Sequence, residues 1–178
     1  MAEIWSGEFS VNNFLDRITI DTVGKEELHR IINPLRRYVY ANGVGHNRIN
    51  QGYYRKHTLT AAEELWLDVF NGLTDDDGTS RPFTSVKVFS VVNTSTTPGD
   101  TVSVMPASSS PWSSWASGVD GGVKVRGAAS STDTPGIMFL GCSDSSGYDV
   151  SNDGAQLILR NDSASSIDVY LLLAGEKP

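Results

Sequence analysis

The second half of the chain carries the same pattern of apolar and polar positions twice. Residues 85–104 and residues 157–173 each contain an apolar, β-branched run, an Asn followed by small hydroxyl residues, and a second apolar run. Val, Ile, Phe and Tyr favour the half-buried surface of a sheet, whereas Asn, Ser, Thr and Gly set turn dihedrals or bond to nearby backbone. Each copy therefore predicts a unit of strand, turn and strand.

Further short apolar runs extend this pattern over most of the chain. They predict seven or eight strands with turn signals about every 8 to 12 residues, and a long Ser-, Trp- and Gly-rich loop at residues 107–122. Strands do not alternate with helical patterns, so a parallel sheet is not expected. The predicted fold class is mainly β, an antiparallel β-sandwich of the jelly-roll kind.

Residues 60–70 give conflicting signals. Thr60 and Glu63 have the spacing of a helix capping box, whereas Leu65, Leu67 and Val69 alternate as they would in a strand. We interpret this segment as a strand.

The front of the chain differs from the rest. Residues 25–33 predict a short helix, because Leu28, Ile31 and Ile32 fall on one face and Pro34 follows. Residues 41–56 lack periodicity and are typical of an extended arm or a long loop that orders against a neighbour. We therefore predict an N-terminal arm or docking segment at residues 1–57, containing the short helix, and a β-sandwich domain at residues 58–178.

Charge is divided unevenly along the 178 residues. Residues 1–60 hold eight Lys or Arg and six Asp or Glu, whereas residues 61–178 hold six and fifteen, for a net charge of −7 overall. An acidic body argues against nucleic acid as a ligand, since phosphate binding needs a concentrated positive surface. The absence of a long apolar run predicts no membrane span or signal segment, and a single cysteine suits folding in a reducing cytoplasm.

Residues that could perform chemistry are sparse. Asp75, Asp76 and Asp77 precede Gly78 but lack the spacing of a calcium loop, and the histidines lack the short spacing of zinc ligands. The serines of residues 107–118 have no neighbouring base or strained nucleophile turn. The sequence predicts no catalytic residues, no metal site and no cofactor. Two glycosylation sequons begin at Asn93 and Asn161, and both are interpreted as turn asparagines.

Two groups of residues are candidates for contact with other molecules. The front segment interleaves basic and aromatic residues that suit an acidic protein surface, and its candidate contact residues are Arg30, Arg36, Arg37, Tyr38, Tyr40, Tyr53, Tyr54 and Arg55. A solvated face with snorkelling side chains is the alternative. Trp112 and Trp115 could stack on a sugar or anchor an interface, or fold back over the end of the sandwich.

From Thr58 onward the chain resembles a group of small virion proteins of tailed bacteriophages, encoded among head and tail genes. The resemblance covers about two thirds of the chain and rests on LWLDVFNGLTDDDGTSRPFTSVKVFSVVNTS, on GYDVS and on AQLILRNDSASSIDVYLLLAG. It implies a β-sandwich that assembles in copies on a capsid or tail, and it carries over no catalytic residues.

These observations together favour a non-enzymatic structural protein of a phage particle. The preferred interpretation is a capsid decoration or cement protein that bridges major capsid subunits, is made in the host cytoplasm and resides in the virion. Its expected partners are the major capsid protein and its own copies in a homo-oligomer, of which a trimer is one candidate. The alternatives are a tail or fibre component and a carbohydrate-binding module built on Trp112 and Trp115; an enzyme ranks third.

Overall fold

A computed structural model describes residues 7–10, 37–76, 78–116, 122–142, 144–151 and 155–178. The helix predicted at residues 25–33 lies outside the described residues. For residues 7–10 and 37–39 the description covers the backbone alone.

The described residues form strands joined by turns and loops, without a helix. The strands are β1 Gly7–Ser10, β2 Arg37–Asn42, β3 Arg48–Ile49, β4 Gln51–Leu59, β5 Glu64–Asp68, β6 Leu73–Thr74, β7 Ser80–Arg81, β8 Ser85–Asn93, β9 Thr101–Pro106, β10 Val123–Arg126, β11 Gly136–Gly141, β12 Tyr148–Asp149, β13 Gln156–Asn161 and β14 Ile167–Glu176.

Two antiparallel sheets make up the body. The five-stranded sheet has the order β11-β8-β14-β4, with β12 paired to β8, and the four-stranded sheet has the order β10-β9-β13-β5. Two smaller sheets, β1-β2-β3 and β6-β7, accompany them. The prediction of a mainly β protein with antiparallel sheets is confirmed.

The two large sheets share one apolar core, which both copies of the repeated pattern fill. Alternate residues of β8 and β14 face alternate residues of β9 and β13, as shown by Phe89, Leu171, Val104 and Leu159, each fully buried. Burial of such a side chain stabilises the fold by about 1.5 to 3 kcal/mol relative to exposure. Alternation along each strand therefore places one set of side chains in this core and the other set on the opposite face of the sheet.

Strand β4 runs across the position at which the sequence divides arm from body. It pairs with β14 over its full length, from Gln51 opposite Gly175 to Leu59 opposite Ile167. The predicted boundary between residues 57 and 58 falls inside this strand. Residues 51–57 are thus part of the five-stranded sheet.

The ambiguous segment at residues 60–70 contains a strand, β5, as predicted. The capping-box pair is nevertheless formed: the Thr60 amide and hydroxyl donate to Glu63 Oε2 at 2.6 and 2.8 Å. These bonds close a tight turn in which Ala62 adopts a φ of 59°. The same local contact that caps a helix here fixes the entry into a strand.

Candidate interaction site

A buried lysine connects the front segment to the body. Lys87 lies in the apolar strand β8, where the pairing with β14 shifts register: Val88 is opposite Ala174 and Val86 is opposite Gly175, so Lys87 has no residue opposite it. The extra residue makes this a β-bulge. At Gly175 a Cβ atom would lie 2.0 Å from the Ser85 carbonyl oxygen, so the close approach of the strands requires glycine.

The Lys87 ammonium group is held by several segments at once. Its side chain is fully buried, and Nζ lies 2.9 Å from Glu176 Oε1. It also donates to the carbonyl oxygens of Gly45 at 2.6 Å, Asp144 at 2.9 Å and Ser145 at 3.2 Å. A buried cation with a carboxylate and three carbonyls around it is fully compensated. We call Lys87, Glu176 and these three carbonyls the lysine clasp.

Tyr40 packs beside the clasp on the outer face of the five-stranded sheet, the face turned away from the four-stranded sheet. It forms a second apolar cluster with Ile49, Val88 and Ala174. Its hydroxyl lies 2.7 Å from the Cys142 carbonyl oxygen, to which it donates. Residues 40–49 are therefore fastened to the body by an apolar contact as well as by the clasp.

The members of the predicted basic and aromatic group whose side chains the structure describes do not form one surface. Tyr40 is buried in the second cluster, and Tyr53 is 2% exposed and belongs to the main core. The next residue, Tyr54, is on the opposite face, 59% exposed and stacked on Tyr170 at 5.7 Å. Arg55 is tied internally, to Asp76 Oδ1 at 3.0 Å and to the Thr74 carbonyl at 2.7 Å.

The remaining members of that group are described only in part or not at all. Arg30 and Arg36 lie outside the described residues, and for Arg37 and Tyr38 the structure gives only their place in β2.

Tyr53 and His57 form a contact at the edge of the core. Tyr53 Oη and His57 Nε2 are 3.0 Å apart. Burial raises the pKa of Tyr53 to about 12. Burial, and next the nearby Arg55 guanidinium, lower the pKa of His57 to about 4. Both side chains are therefore neutral at neutral pH.

Trp112 and Trp115 fold back into the end of the sandwich rather than outward. Trp112 is 0% exposed, its ring centroid is 5.2 Å from that of Phe89, and its indole N–H donates to the Asp149 carbonyl at 3.0 Å. Trp115 is half-buried and 6.0 Å from Trp112. The pair therefore does not present the exposed platform that sugar stacking needs.

The asparagines of the two repeated units have the same role in both copies. Asn93 and Asn161 are fully buried, and their Oδ1 atoms accept from the amides of Ser95 at 3.0 Å and Ser163 at 2.8 Å. Their side-chain amides donate to the carbonyls of Val125, Thr60 and Ser165 at 3.1, 2.9 and 2.7 Å. The interpretation of both as turn asparagines is confirmed.

The two edges of the four-stranded sheet differ in charge. On its outer face, edge strand β5 presents Glu64, Trp66 and Asp68, with Trp66 47% exposed. The opposite edge strand, β10, presents Lys124 and Arg126, both exposed. Sequence reasoning did not single out these residues; the signal was their alternation with apolar residues along two short strands.

Within the described part of the chain, no three His, Cys, Asp or Glu side chains come together to hold a metal ion. That part also contains no helix able to cross a lipid bilayer. No protein-family model, curated protein or solved structure matches the chain.

Proposed function

We propose that this chain is a non-enzymatic structural protein of a bacteriophage particle, a capsid decoration or cement protein with a jelly-roll body. The observation that carries the proposal is the pairing of eight strands in the two large sheets, all of them except the two-residue β12. In chain order these strands are β4, β5, β8, β9, β10, β11, β13 and β14. The first pairs with the eighth, the second with the seventh, the third with the sixth and the fourth with the fifth.

This pairing is what results when one long antiparallel hairpin is wrapped into two sheets. Eight strands in two Greek keys are the jelly-roll arrangement, which recurs in viral capsid domains and in lectins. The resemblance of residues 58–178 to phage virion proteins supports the first of these uses. Fold alone does not assign a function, so the proposal rests on the strand order and the resemblance together.

The proposed mechanism is stabilisation by many identical contacts. Each copy would bridge neighbouring major capsid subunits and add buried area across their junction, and the assembled shell would gain stability from ligands that bind only the assembled state. The acidic body, with six basic and fifteen acidic residues in residues 61–178, would keep closely spaced copies soluble.

In this proposal the front segment attaches the protein to the shell. The lysine clasp and Tyr40 fix residues 40–49 on the body, so a contact made by the preceding residues would be transmitted to a rigid sheet. Arg30, Arg36, Arg37 and Tyr38 remain the residues proposed to meet the capsid protein.

Purified particles from a host strain carrying the gene test this proposal. We expect the protein to sediment with the particles in a fixed ratio to the major capsid protein, and electron microscopy to place it on the head. Particles from a strain lacking the gene should assemble but release their genome at a lower temperature, and added protein should restore the wild-type temperature. Location on the tail would favour the tail or fibre alternative, and absence from particles would reject both.

A further inference from the structure

We propose that copies of this chain associate head to tail through the two edges of the four-stranded sheet, with β5 of one copy pairing antiparallel to β10 of the next. The inference deepens the proposed function, because it names the surface by which neighbouring copies on a particle would meet. The partner is a second copy of this chain.

The topology permits this pairing without reorienting either copy. The strands β10, β9, β13 and β5 are each antiparallel to the next, so the two edge strands run in opposite directions. When two copies stand side by side in the same orientation, β5 of one therefore lies antiparallel to β10 of the other. Both strands end the sheet within the described residues. The contact is short, because the Asp68 carbonyl oxygen already accepts from the Gly72 amide and Gly136 packs against the Arg126 carbonyl oxygen.

The charges of the two edges are complementary. On the outer face the charged residues of β5 itself are Glu64 and Asp68, and those of β10 are Lys124 and Arg126. Asp68 also accepts from the amides of Phe70 and Asn71 in its own turn, so Glu64 is the acid better placed to meet a cation of another copy. Two acidic edges would repel each other, as would two basic edges, whereas one of each attract. Complementary charge thus selects a head-to-tail contact over a symmetric one.

Lys124 and Arg126 are available for this contact. Residues 61–178 hold only six Lys or Arg. Arg81 and Lys87 are buried, and Arg160 pairs with Glu64 at 3.8 Å and with Asp162 at 2.7 Å. The Lys124 side chain is 68% exposed although its Nζ lies 3.4 Å from Asp162 Oδ2. A basic strand is thus exposed on an otherwise acidic body.

Because side chains alternate along both strands, we consider the two registers that place the outer-face residues of β5 beside the outer-face residues of β10. With Glu64 opposite Arg126, Trp66 is opposite Lys124; with Asp68 opposite Lys124, Trp66 is opposite Arg126. Each register sets an acid against a base and an exposed indole against a cation, which the ring face attracts. A slip of one residue would set these side chains against the apolar face, so intermediate registers are excluded.

The apolar face of the contact matches as well. Leu65 and Leu67 of β5 point toward the core side of their sheet, as do Val123 and Val125 of β10. Beside β10, a surface cleft of about 440 Å³ opens between β10 and β11, with Val123 and Ile137 on its walls, each about 40% exposed. Pairing would bring the half-buried Leu65 toward this apolar edge.

One strand pair makes a small interface, so the contact is weak in solution and depends on concentration. An array that holds copies side by side raises their effective concentration, and a larger fraction of the copies is then in contact. The alternative is that Lys124 and Arg126 only protect an exposed edge from pairing, as charged residues on edge strands do.

Disulfide trapping in the full-length protein tests the geometry directly. In a Cys142→Ser background, Glu64→Cys with Arg126→Cys reports one register and Asp68→Cys with Lys124→Cys reports the other. Directly opposed residues lie within disulfide reach, whereas in one chain the two edges are on opposite sides of the sheet. We expect mild oxidation to give a ladder of covalent oligomers in one of the two pairs.

The single-cysteine variants serve as controls. Glu64→Cys alone should give few dimers, and an efficient dimer would indicate a symmetric contact between two β5 strands and overturn the inference. Absence of a ladder from both pairs, in protein that retains its β-sheet circular dichroism, would overturn it too.

Charge reversal provides a second, independent test. By sedimentation velocity, Lys124→Glu should raise the dissociation constant of self-association about tenfold or more, and high salt should weaken the wild-type contact. Lys177→Glu makes the same change in net charge away from the edge and should have little effect. Adding Glu64→Lys to Lys124→Glu should recover most of the affinity.

If Lys124→Glu instead strengthens association, the basic residues only protect the edge. Particle binding is measured separately by co-sedimentation, so failure here leaves the proposed function standing.

Discussion

At Lys87 one ammonium group holds together the front segment, the loop after β11 and the last strand. Its bonds to Gly45 and Asp144 and its ion pair with Glu176 link residues far apart in sequence. The β-bulge gives the lysine room, since a regular strand would place it on a face filled by apolar neighbours. The buried charge of Lys87 within the apolar strand β8 is thus explained by the groups that it contacts in other segments.

Lys87→Met is expected to destabilise the fold by about 3 kcal/mol, because it leaves the Glu176 carboxylate and three carbonyls without their cation. Chemical denaturation monitored by tryptophan fluorescence measures the loss. Adding Glu176→Gln should recover part of it, since the unpaired buried charge is then removed. A single substitution without measurable cost would show that the clasp contributes nothing to stability.

His57 predicts a pH dependence of stability. Its pKa is lowered to about 4 in the folded state, mainly by burial, from an ordinary value of 6.5. The unfolded chain therefore binds the proton first, and stability is lost as pH falls from about 6.5 toward 4. The expected loss is about 2 kcal/mol once solvent screening of the half-buried ring is allowed for.

Denaturation between pH 7 and pH 5 tests this dependence. The carboxylates whose pKa values are lowered, such as Asp168 beside Lys56, contribute stability that is lost only at lower pH. His57→Gln should flatten the slope in this window.

At the scale of elements, strand β4 spans the boundary that the sequence predicts between the arm and the body. Its inward residues Tyr53 and Leu59 belong to the main core, while Tyr54 and Thr58 face outward. The edge of the five-stranded sheet is therefore built from residues that looked like a docking arm. These residues are basic and aromatic because they lie at the edge of a sheet, where long side chains can reach solvent and bond to neighbouring turns.

Truncated chains test whether residues 51–57 are a dispensable arm or a required part of the sheet. The sequence alone predicts that a chain beginning at Thr58 stays soluble and β-rich. The pairing of β4 with β14 predicts instead that this chain loses cooperative unfolding, because seven of the nine β4 residues and the buried Tyr53 are removed. A chain beginning at Arg37 keeps β4, Tyr40 and the clasp, and should unfold cooperatively. Thermal melts followed by circular dichroism compare the two; equal melts would show that β4 is dispensable.

At the scale of the whole molecule, Trp112 closes one end of the sandwich. It packs on Phe89 between the sheets and anchors the residue 107–116 loop to Asp149. We expect Trp112→Ala to cost about 3 to 5 kcal/mol of stability. Trp115→Ala should cost less, because Trp115 is only half-buried.

Glycan binding by the folded protein provides the contrasting test. A glycan array should give no signal that Trp115→Ala abolishes, since the buried Trp112 leaves no paired platform. Saturable binding lost in Trp115→Ala would support the carbohydrate-binding alternative.

The sequence by itself determined the strands from β8 onward and the two turn asparagines, but not β4, most of which it predicted as part of an arm. These features follow from local rules: side chains alternate along a strand, and Asn-x-Ser places an acceptor next to the amide two residues later. The Asn93 and Asn161 turns could therefore be predicted, as could the strand character of residues 64–68.

Only the tertiary structure decided which face of each strand is buried and which strands pair. Alternation indicates that Tyr53 and Tyr54 lie on opposite faces, but not which one enters the core. Burial of Trp112 and Lys87 likewise depends on partners distant in sequence. The opposed charges of β5 and β10 acquire meaning only once the sheet order makes both of them edges, because strand pairing is a non-local property that one-dimensional periodicity does not carry.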